Sequence, residues 1–509
     1  MTLSELVVWV KKIPEQMPSE MKDMAQSIVN EFLRTAERMT NLGLSYLSLD
    51  RAGSTLSNGE LQRVQISRAV RSDTTGVLYV LDEPSIGLHP YNVDGLMKIV
   101  RELVERKNSV VLVDHDPRIL MDADQLIEIG PGAGKEGGRI VTQGTPLEAE
   151  SNPHSLIGPY LSGKESLKVR NRASEKDMFE NGSIRIKTKP FYTVKALDVS
   201  IPKGRMIAVT GVSGSGKTSL VIECLVPALQ AVIHGTKLPE HVESIEAKEI
   251  QSVKVIDSKP IGANVRSTVA TYDGVFDDLR KLFAKIPDAK SKGLSAGDFS
   301  YNTGKLRCPV CDGTGIITMD VQFLPDVDTI CPSCGGSRYG KEAYDILWKS
   351  KEKDSVSVSL PGLLKLTVEE AAGILHEETK IAKQLKILQD LGVCYLTLGE
   401  ATPALSGGEA QRLKLAYEME TPQQGSVFVF DEPTIGLHPQ DVKKLILIFD
   451  HLIQLGATVI VIEHDLELVT NCDYIIDMGP WGGTEGGRVV VEGTPEQWLQ
   501  ILKALRVDI

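Results

Sequence analysis

Three groups of residues in this 509-residue sequence have types and spacings that suit defined chemistry, and the first is the stretch 211–218. It reads G-x-x-x-x-G-K-T, a complete phosphate-binding (Walker A) loop that occurs once. Its glycines let backbone N–H groups face a triphosphate, Lys217 adds a charge near the β- and γ-phosphates, and Thr218 suits Mg²⁺. Apolar residues at 206–209 and 219–222 predict the strand and the helix that this motif requires. The predicted nucleotide-binding residues of the loop are Gly211, Ser213, Gly214, Gly216, Lys217 and Thr218.

The second group is an internal repeat with a constant offset of 349 positions (431 − 82). Residues 43–47 match 392–396, and 56–60 match 405–409. The pairs that continue the series are Asp82 and Asp431, Glu83 and Glu432, His115 and His464, and Gly144 and Gly493. Since the repeated strings are polar and specific, we interpret the chain as two copies of one half-domain.

In each copy an apolar run ends in the Asp-Glu pair, and a second run precedes the histidine. Carboxylates at the carboxyl end of buried parallel strands lie where α/β folds bind ligands. Asp431 is therefore predicted to hold Mg²⁺, and Glu432 to orient or deprotonate the attacking water. We predict that His464 contacts the γ-phosphate from the neighbouring strand.

The third group consists of two C-x-x-C pairs separated by 19 residues. This spacing is typical of a closed, tetrahedral structural zinc site. Basic residues flank the pairs, and they suit either phosphate contacts or a solvated charged rim. The predicted zinc ligands are Cys308, Cys311, Cys331 and Cys334, and the flanking basic residues are Lys305, Arg307, Arg338 and Lys341.

Composition limits the classes of function. The net charge is −12, so any contact with nucleic acid must use a local basic patch. The N-terminus has no basic signal-peptide region and no apolar run approaches 18 residues, so we expect a cytoplasmic protein. Apolar residues three or four apart predict a helix over residues 1–42, closed by Gly43.

The order of these motifs predicts five segments. They are 1–150, the end of a first ATPase domain; 151–195, a connector; 196–225, the Walker A part of a second domain; 226–375, an insertion with the cysteines; and 376–509, the end of the second domain.

The stretch 405–412, Leu-Ser-Gly-Gly-Glu-Ala-Gln-Arg, together with the Asp-Glu pairs and histidines, resembles the signature, Walker B and switch residues of the ABC family of ATPases. The resemblance implies an α/β fold of P-loop half-domains with mainly parallel sheets, and a zinc-containing insertion. In that family a nucleotide is held between the Walker A loop of one half and the signature of the other. The Walker A loop would therefore act with Ser57, Gly59 and Glu60, although Asn58 replaces a signature glycine.

The insertion makes the resemblance more specific. Residues 270–272, 274–278, 299–302 and 321–326, with the cysteine pairs, are similar to the UvrA family of bacterial nucleotide excision repair. This similarity implies an ATPase that uses ATP, Mg²⁺ and Zn²⁺, binds double-stranded DNA and forms a homodimer. It also implies DNA contacts by Arg266, although this sequence has one arginine where the family typically has two.

The sequence departs from the family in two further ways. Ser258 replaces a glutamine that the family carries, and one Walker A loop serves two copies. The residues of the second site, which we expect to be incomplete within this chain, are Asp82, Glu83, His115, Ser406 and Gly408. A separate chain carrying a Walker A and a UvrB-binding region would complete it, and no UvrB contact is predicted here. Alternative interpretations are a UvrA-like paralogue for resistance to DNA-binding drugs and a non-catalytic nucleotide-binding subunit.

Overall fold

The computed structural model describes the chain except for residues 57, 71–73, 86–87, 89, 133–136, 163–168, 260, 263, 320–326, 351–355, 420–422, 436 and 505–509, and the side chains of 58, 90–92, 484 and 502–504. The chain divides into two compact units. Unit 1 comprises Met1–Glu128, Ile140–Val255 and Gln423–Ile509, and unit 2 comprises Ile129–Arg139 and Ile256–Pro422. Within the described ranges, every helix is too short or too polar to cross a membrane.

The first copy of the repeat consists of short strands and helices. In chain order they are α1 Leu3–Val10, α2 Ile13–Gln16, α3 Lys22–Asn41, α4 Asn58–Ala69, β1 Leu78–Asp82, α5 Pro90–Glu105, β2 Ser109–Val113, α6 Pro117–Met121, β3 Leu126–Gly130, β4 Arg139–Gly144, α7 Pro146–Ser151 and α8 Gly158–Leu161. The predicted helix over residues 1–42 is wrong as one element, because the chain breaks at residues 11–12 and again at 17–18. Pro14 and Pro18 explain the breaks, since proline fixes its own φ and removes a backbone donor.

The rest of unit 1 surrounds the Walker A loop. Its elements are β5 Ser183–Thr188, β6 Asp198–Pro202, β7 Met206–Gly211, a π-helical segment Ser219–Leu225, α9 Val226–His234, β8 Val242–Glu246 and β9 Ser252–Ile256, followed after unit 2 by β14 Ser426–Asp431, α17 Pro439–Gln454, β15 Thr458–Ile462, α18 Leu466–Asn471, β16 Tyr474–Gly479, β17 Arg488–Gly493 and α19 Pro495–Ala504. Six strands form one sheet in the order β17-β16-β7-β15-β14-β9. Its centre, β16-β7-β15-β14, is parallel.

This sheet is buried because its central strands are almost continuously apolar. Ile207, Val209, Val429 and Ile460 contribute to one core cluster with the helices that cover the sheet. The carboxyl ends of β7 and β14 bring the Walker A loop and Asp431 to the same edge.

The first copy forms a smaller sheet. Among the described residues, β1 and β2 pair in parallel with each other and with no further strand. Side chains alternate between half-buried and exposed, and Leu78 and Val80 are 60% and 63% exposed. The prediction of buried strands before the Asp-Glu pair is therefore confirmed for β14 and wrong for one face of β1.

Unit 2 contains the cysteine pairs and the second signature. Its elements are α10 Val269–Tyr272, α11 Val275–Phe283, α12 Pro287–Ser291, β10 Ile316–Met319, β11 Val327–Ile330, β12 Leu347–Lys349, β13 Ser357–Ser359, α13 Leu360–Leu364, α14 Val368–Ile374, α15 Thr379–Asp390 and α16 Gly407–Met419. The hairpin predicted between the cysteine pairs is present as antiparallel β10 and β11. The structure groups residues 376–422 with the cysteines, whereas the sequence places them with the second ATPase domain.

Candidate functional site

The Walker A loop links β7 to the π-helical segment. A side chain at Gly211, where φ is +128°, would meet the carbonyl oxygen of Met478 at 1.9 Å, so only glycine fits. Lys217 is buried, and its Nζ donates to the carbonyl oxygens of Gly211 and Val212 at 2.8 and 2.9 Å. The lysine therefore spans its own loop, at the place predicted for the phosphates.

The Asp-Glu pair and the histidine of the second copy lie beside this loop. Glu432 Oε1 is 3.5 Å from His464 Nε2. Glu432 has a φ of +48°, a backbone conformation that non-glycine residues rarely adopt and that recurs at functional sites. Asp431, Glu432, His464 and Lys217 are thus brought together as the sequence predicts.

Burial sets the electrostatics of this cluster. It lowers the pKa of Lys217 to about 8, against the opposing charges of Glu432, Asp477 and Asp431. It also lowers the pKa of His464, and the charge of Lys217 adds to that effect. Burial is the largest single influence on Glu432 and raises its pKa, but the hydrogen bond and charge of His464, together with the charges of Lys217 and Arg63, outweigh it, so the net pKa is lowered. Glu432 is therefore ionised at neutral pH and can accept a proton from water.

The residues present fit a magnesium ion. Thr218 is exposed at the end of the loop, and the Asp431 carboxylate is close enough to raise the pKa of Lys217 through its charge. A hydroxyl and a carboxylate are oxygen ligands of the kind that Mg²⁺ takes together with phosphate oxygens.

The signature region of the first copy contacts the Walker A loop. The Oη of Tyr46 lies 2.5 Å from Glu60 Oε1 and 3.2 Å from Ser213 Oγ. A side chain at Gly214 would meet the Tyr46 ring at 2.7 Å. Gly59 is buried, while Ser57 and the side chain of Asn58 lie outside the described residues. Unit 1 thus joins the Walker A loop to Glu60 of the other copy.

Sequence reasoning missed a hydrogen-bonded carboxylate in each copy, buried in the case of Glu463 and half-buried in the case of Asp114. Glu463 accepts hydrogen bonds from the backbone and hydroxyl of Thr434 and from the backbone of His464. Asp114 has the same kind of partners in Ser85 and His115. Burial raises the pKa of Asp114, and it raises that of Glu463 to about 7. An acidic residue directly before each repeated histidine was the available signal.

An exposed aromatic side chain beside the loop was also missed. Tyr192 is 81% exposed, in a turn closed by the hydrogen-bonded pair Phe191 and Val194. A side chain at Gly216 would meet Val194 at 3.2 Å, so this turn adjoins the Walker A loop. Its phenol ring offers a stacking face for a nucleotide base.

The first copy repeats the acid–histidine pair. Glu83 has a φ of +46°, and its Oε1 lies 3.4 Å from His115 Nε2. Asp82 ends β1 and is exposed. In unit 2, Ser406 and Glu409 cap α16 reciprocally, and Gly408 follows in the helix. The five residues predicted for a second site are therefore divided between the two units.

The four cysteines of unit 2 form one cluster. Their sulfur atoms all lie within 4.8 Å of one another, with 4.0 Å from Cys308 to Cys331 and 3.7 Å from Cys311 to Cys334. A tetrahedron with Zn–S bonds of about 2.3 Å has edges of about 3.8 Å, so the set fits zinc. The backbone N–H of Gly315 donates to Cys311 Sγ, as expected around a thiolate ligand.

The basic residues near the cysteines are held by neighbouring acids. Asp312 accepts from Arg266 at 3.3 Å and from Arg307 at 3.0 Å, and Lys305 lies 3.5 Å from Asp298. Lys341 is exposed. Arg338 is 7% exposed and donates to the carbonyl of Val265 while its guanidinium covers the Tyr301 ring. This burial corrects the expectation that Arg338 contacts phosphates, because its charge packs inside unit 2.

Comparison with known proteins relates this chain to UvrABC system protein A. The chain is 43% identical over 494 residues to UvrABC system protein A of Aquifex aeolicus, covering 96% of this chain and 52% of that protein. It is 41% identical over 507 residues to UvrABC system protein A of Staphylococcus aureus, covering 98% of this chain and 52% of the relative. The chain thus spans about half the length of these curated relatives. No family model matches the chain.

Solved structures extend the comparison. UvrA2 from Deinococcus radiodurans superposes with a TM-score of 0.88 at 37% identity, covering 98% of this chain and 60% of that one. A ribosome-bound complex of archaeal Pelota and ABCE1 matches with a TM-score of 0.52 at 17% identity and covers 99% of this chain and 64% of that one, which supports the fold alone. The α/β, ABC-type ATPase fold expected from the sequence is confirmed.

Proposed function

We propose that this chain, which is homologous to UvrABC system protein A over almost its whole length, hydrolyses ATP and binds double-stranded DNA in nucleotide excision repair. We further propose that it works as a homodimer in the cytoplasm. The single observation that carries the proposal is the cluster of Lys217, Glu432 and His464 in unit 1, next to the signature region of the other copy.

Each residue of that cluster has a role in the proposed hydrolysis. The Walker A loop binds the triphosphate, and Lys217 leaves its two carbonyl partners to contact the β- and γ-phosphates. Mg²⁺, when bound by Thr218 and Asp431, neutralises charge on the phosphates. Glu432 accepts the proton of the attacking water, while His464 positions Glu432 and faces the γ-phosphate.

Unit 2 supplies the proposed surface for DNA. With Arg338 buried, the candidate phosphate contacts are Arg266, Lys305, Arg307 and Lys341. Four cationic contacts predict a slope of log affinity against log salt of about −4. Since phosphate contacts carry little sequence information, binding should be similar for duplexes of different sequence.

The test measures phosphate release by the purified chain, with and without duplex DNA that carries ultraviolet lesions. We expect hydrolysis that the damaged duplex changes, and no hydrolysis by a Lys217→Ala variant. Release at the level of that variant under every condition would contradict the proposed activity and favour a non-catalytic nucleotide-binding subunit. Hydrolysis without any binding of DNA would contradict only the role in repair.

A further inference from the structure

The signature helix of the first copy directs a buried arginine at the Walker A loop. Helix α4 begins at Asn58, and Arg63 lies one turn after Gly59. The side chain is 1% exposed, and its Nη2 lies 3.2 Å from Ser213 Oγ. Glu60 holds the neighbouring Tyr46 on the same serine hydroxyl. The guanidinium therefore faces the predicted nucleotide position from the opposite copy.

The charge of Arg63 acts on the other groups of this cluster. It contributes to lowering the pKa values of Lys217, Glu432 and His464, in each case by less than burial and the other neighbours. Two buried cations, Lys217 and Arg63, thus share one cluster with the acids Glu432, Asp431 and Asp477. The triphosphate proposed for this loop would place its negative charge beside both cations.

The repeat provides an internal comparison. Arg412 occupies the position of Arg63 in the second copy, on helix α16. Arg412 hydrogen-bonds Tyr395, which in turn donates to Glu409 at 2.6 Å. Arg412 therefore contacts the tyrosine–glutamate pair of its own copy, whereas Arg63 reaches the Walker A loop.

We propose that Arg63 is a further catalytic residue, which contacts the γ-phosphate held by the Walker A loop and stabilises its charge during hydrolysis. This inference rests on the proposed ATPase function. In the reaction a water oxygen bonds to the γ-phosphorus, and the bond from that phosphorus to the β–γ bridging oxygen breaks. The water proton passes to Glu432, and ADP leaves with the electron pair. Arg63 offers several N–H donors to the oxygens that carry the charge.

The geometry also explains why an arginine stands here. A planar guanidinium can donate to two phosphate oxygens at once, whereas lysine is a point charge. Contact with Ser213 and the stacking of Tyr46 on Gly214 orient the guanidinium before nucleotide binds. Binding energy from such a preorganised donor is realised mainly in the transition state.

The experiment compares Arg63→Ala, Arg63→Lys and the matched control Arg412→Ala in the full chain. Phosphate release gives kcat, and titration gives the affinities for ADP and for ADP with vanadate, which mimics the transition state. We expect Arg63→Ala to lower kcat by at least roughly 10²-fold and to weaken ADP–vanadate binding similarly, with ADP affinity almost unchanged. Arg63→Lys should recover part of the loss, and Arg412→Ala should stay within about twofold of the wild type in kcat.

Three outcomes separate the inference from the function on which it rests. A wild-type chain that hydrolyses ATP, with Arg63→Ala equally active or Arg412→Ala equally damaged, would overturn the role of Arg63 alone. A wild-type chain without hydrolysis would overturn the proposed function and this role with it. If Arg63→Ala melts at a much lower temperature than the wild type, Arg63→Lys becomes the deciding variant, because it keeps the aliphatic stem and the charge. Full wild-type activity of Arg63→Lys would then refute the need for a guanidinium.

Discussion

The two copies of the repeat place the same acid–histidine pair in different surroundings. The distances from glutamate to histidine are 3.4 Å for Glu83 and His115 and 3.5 Å for Glu432 and His464. The His115 side chain is 38% exposed, whereas that of His464 is 8% exposed. The pKa of His115 is raised by its hydrogen bond to Glu83, while burial lowers that of His464. Local geometry is thus repeated, but the electrostatics are not.

The difference follows from the strand that carries the Walker A loop. In the second copy β7 lies between β15 and β16, completes a buried sheet and brings Lys217 to the pair. In the described part of the first copy, β1 and β2 have no such neighbour. We therefore expect an Asp-Glu pair and a histidine to form a nucleotide site only where this strand and its loop lie beside them.

The largest expected effect is that of Lys217→Ala on nucleotide binding. The second copy alone has a Walker A loop in this sequence, so the chain should bind about one nucleotide, and the variant should bind none that is detectable. Calorimetric titration with a non-hydrolysable ATP analogue gives both stoichiometry and affinity. Residual binding by the variant would contradict this difference between the copies, because the first copy would then hold nucleotide by itself.

Loss of metal from unit 2 should leave the nucleotide site of unit 1 intact. We expect about one zinc per chain, held by Cys308 and its three partners. Cys308→Ser should remove the metal and increase amide exchange in the hairpin of β10 and β11, because metal binding and local folding are coupled. Nucleotide affinity should change by less than about twofold. The matched control is Cys394→Ser, which should keep its zinc.

A zinc-free wild-type protein, purified in reducing and metal-replete buffer, would refute this assignment. If Cys308→Ser lost nucleotide binding as well as its zinc, the two units would not be independent in function.

A smaller effect is expected from the buried carboxylate of the second copy. Burial raises the pKa of Glu463 from 4.5 to about 7, so between these values the folded chain binds a proton that the unfolded chain lacks. Its contribution to stability is fully present below pH 4.5 and is lost as pH rises through about 7. The free energy of unfolding should therefore fall by about 1 kcal/mol from this group between pH 6 and pH 8.

Glu463→Gln should remove that dependence, and chemical denaturation at several pH values measures it. Asp114→Asn is the matched change in the first copy, where the same kind of carboxylate also has a raised pKa. Parallel pH profiles for wild type and Glu463→Gln would contradict the assignment of the raised pKa to Glu463.

Much of the second copy was predictable because its motifs are local. The Walker A loop, the strand that ends at Asp431 and the hairpin between the cysteine pairs each follow from short apolar or glycine-rich patterns. The cysteine cluster followed from spacing alone, because ligand geometry limits which spacings can close a tetrahedron.

What could not be predicted depends on contacts between distant segments. The burial of Arg338 follows from its position over Tyr301, and nothing in the surrounding sequence indicates it. Tyr46 was recognised as repeated, but its contact with Ser213 joins residues 167 positions apart. The apolar sequence of β1 is that of a buried strand, but in the described part of the chain β1 pairs with β2 alone, and one of its faces is exposed.

If hydrolysis belongs to the second copy, Glu432→Gln and Glu83→Gln should have different effects on it. Both substitutions remove a carboxylate at the same repeat position and keep its shape. We expect Glu432→Gln to bind ATP normally and to hydrolyse it roughly 10²-fold or more slowly, as loss of a general base predicts. Glu83→Gln should hydrolyse ATP within about twofold of the wild-type rate. Equal losses of hydrolysis in the two variants would contradict the assignment of hydrolysis to the second copy, because the first copy would then take part in the chemistry.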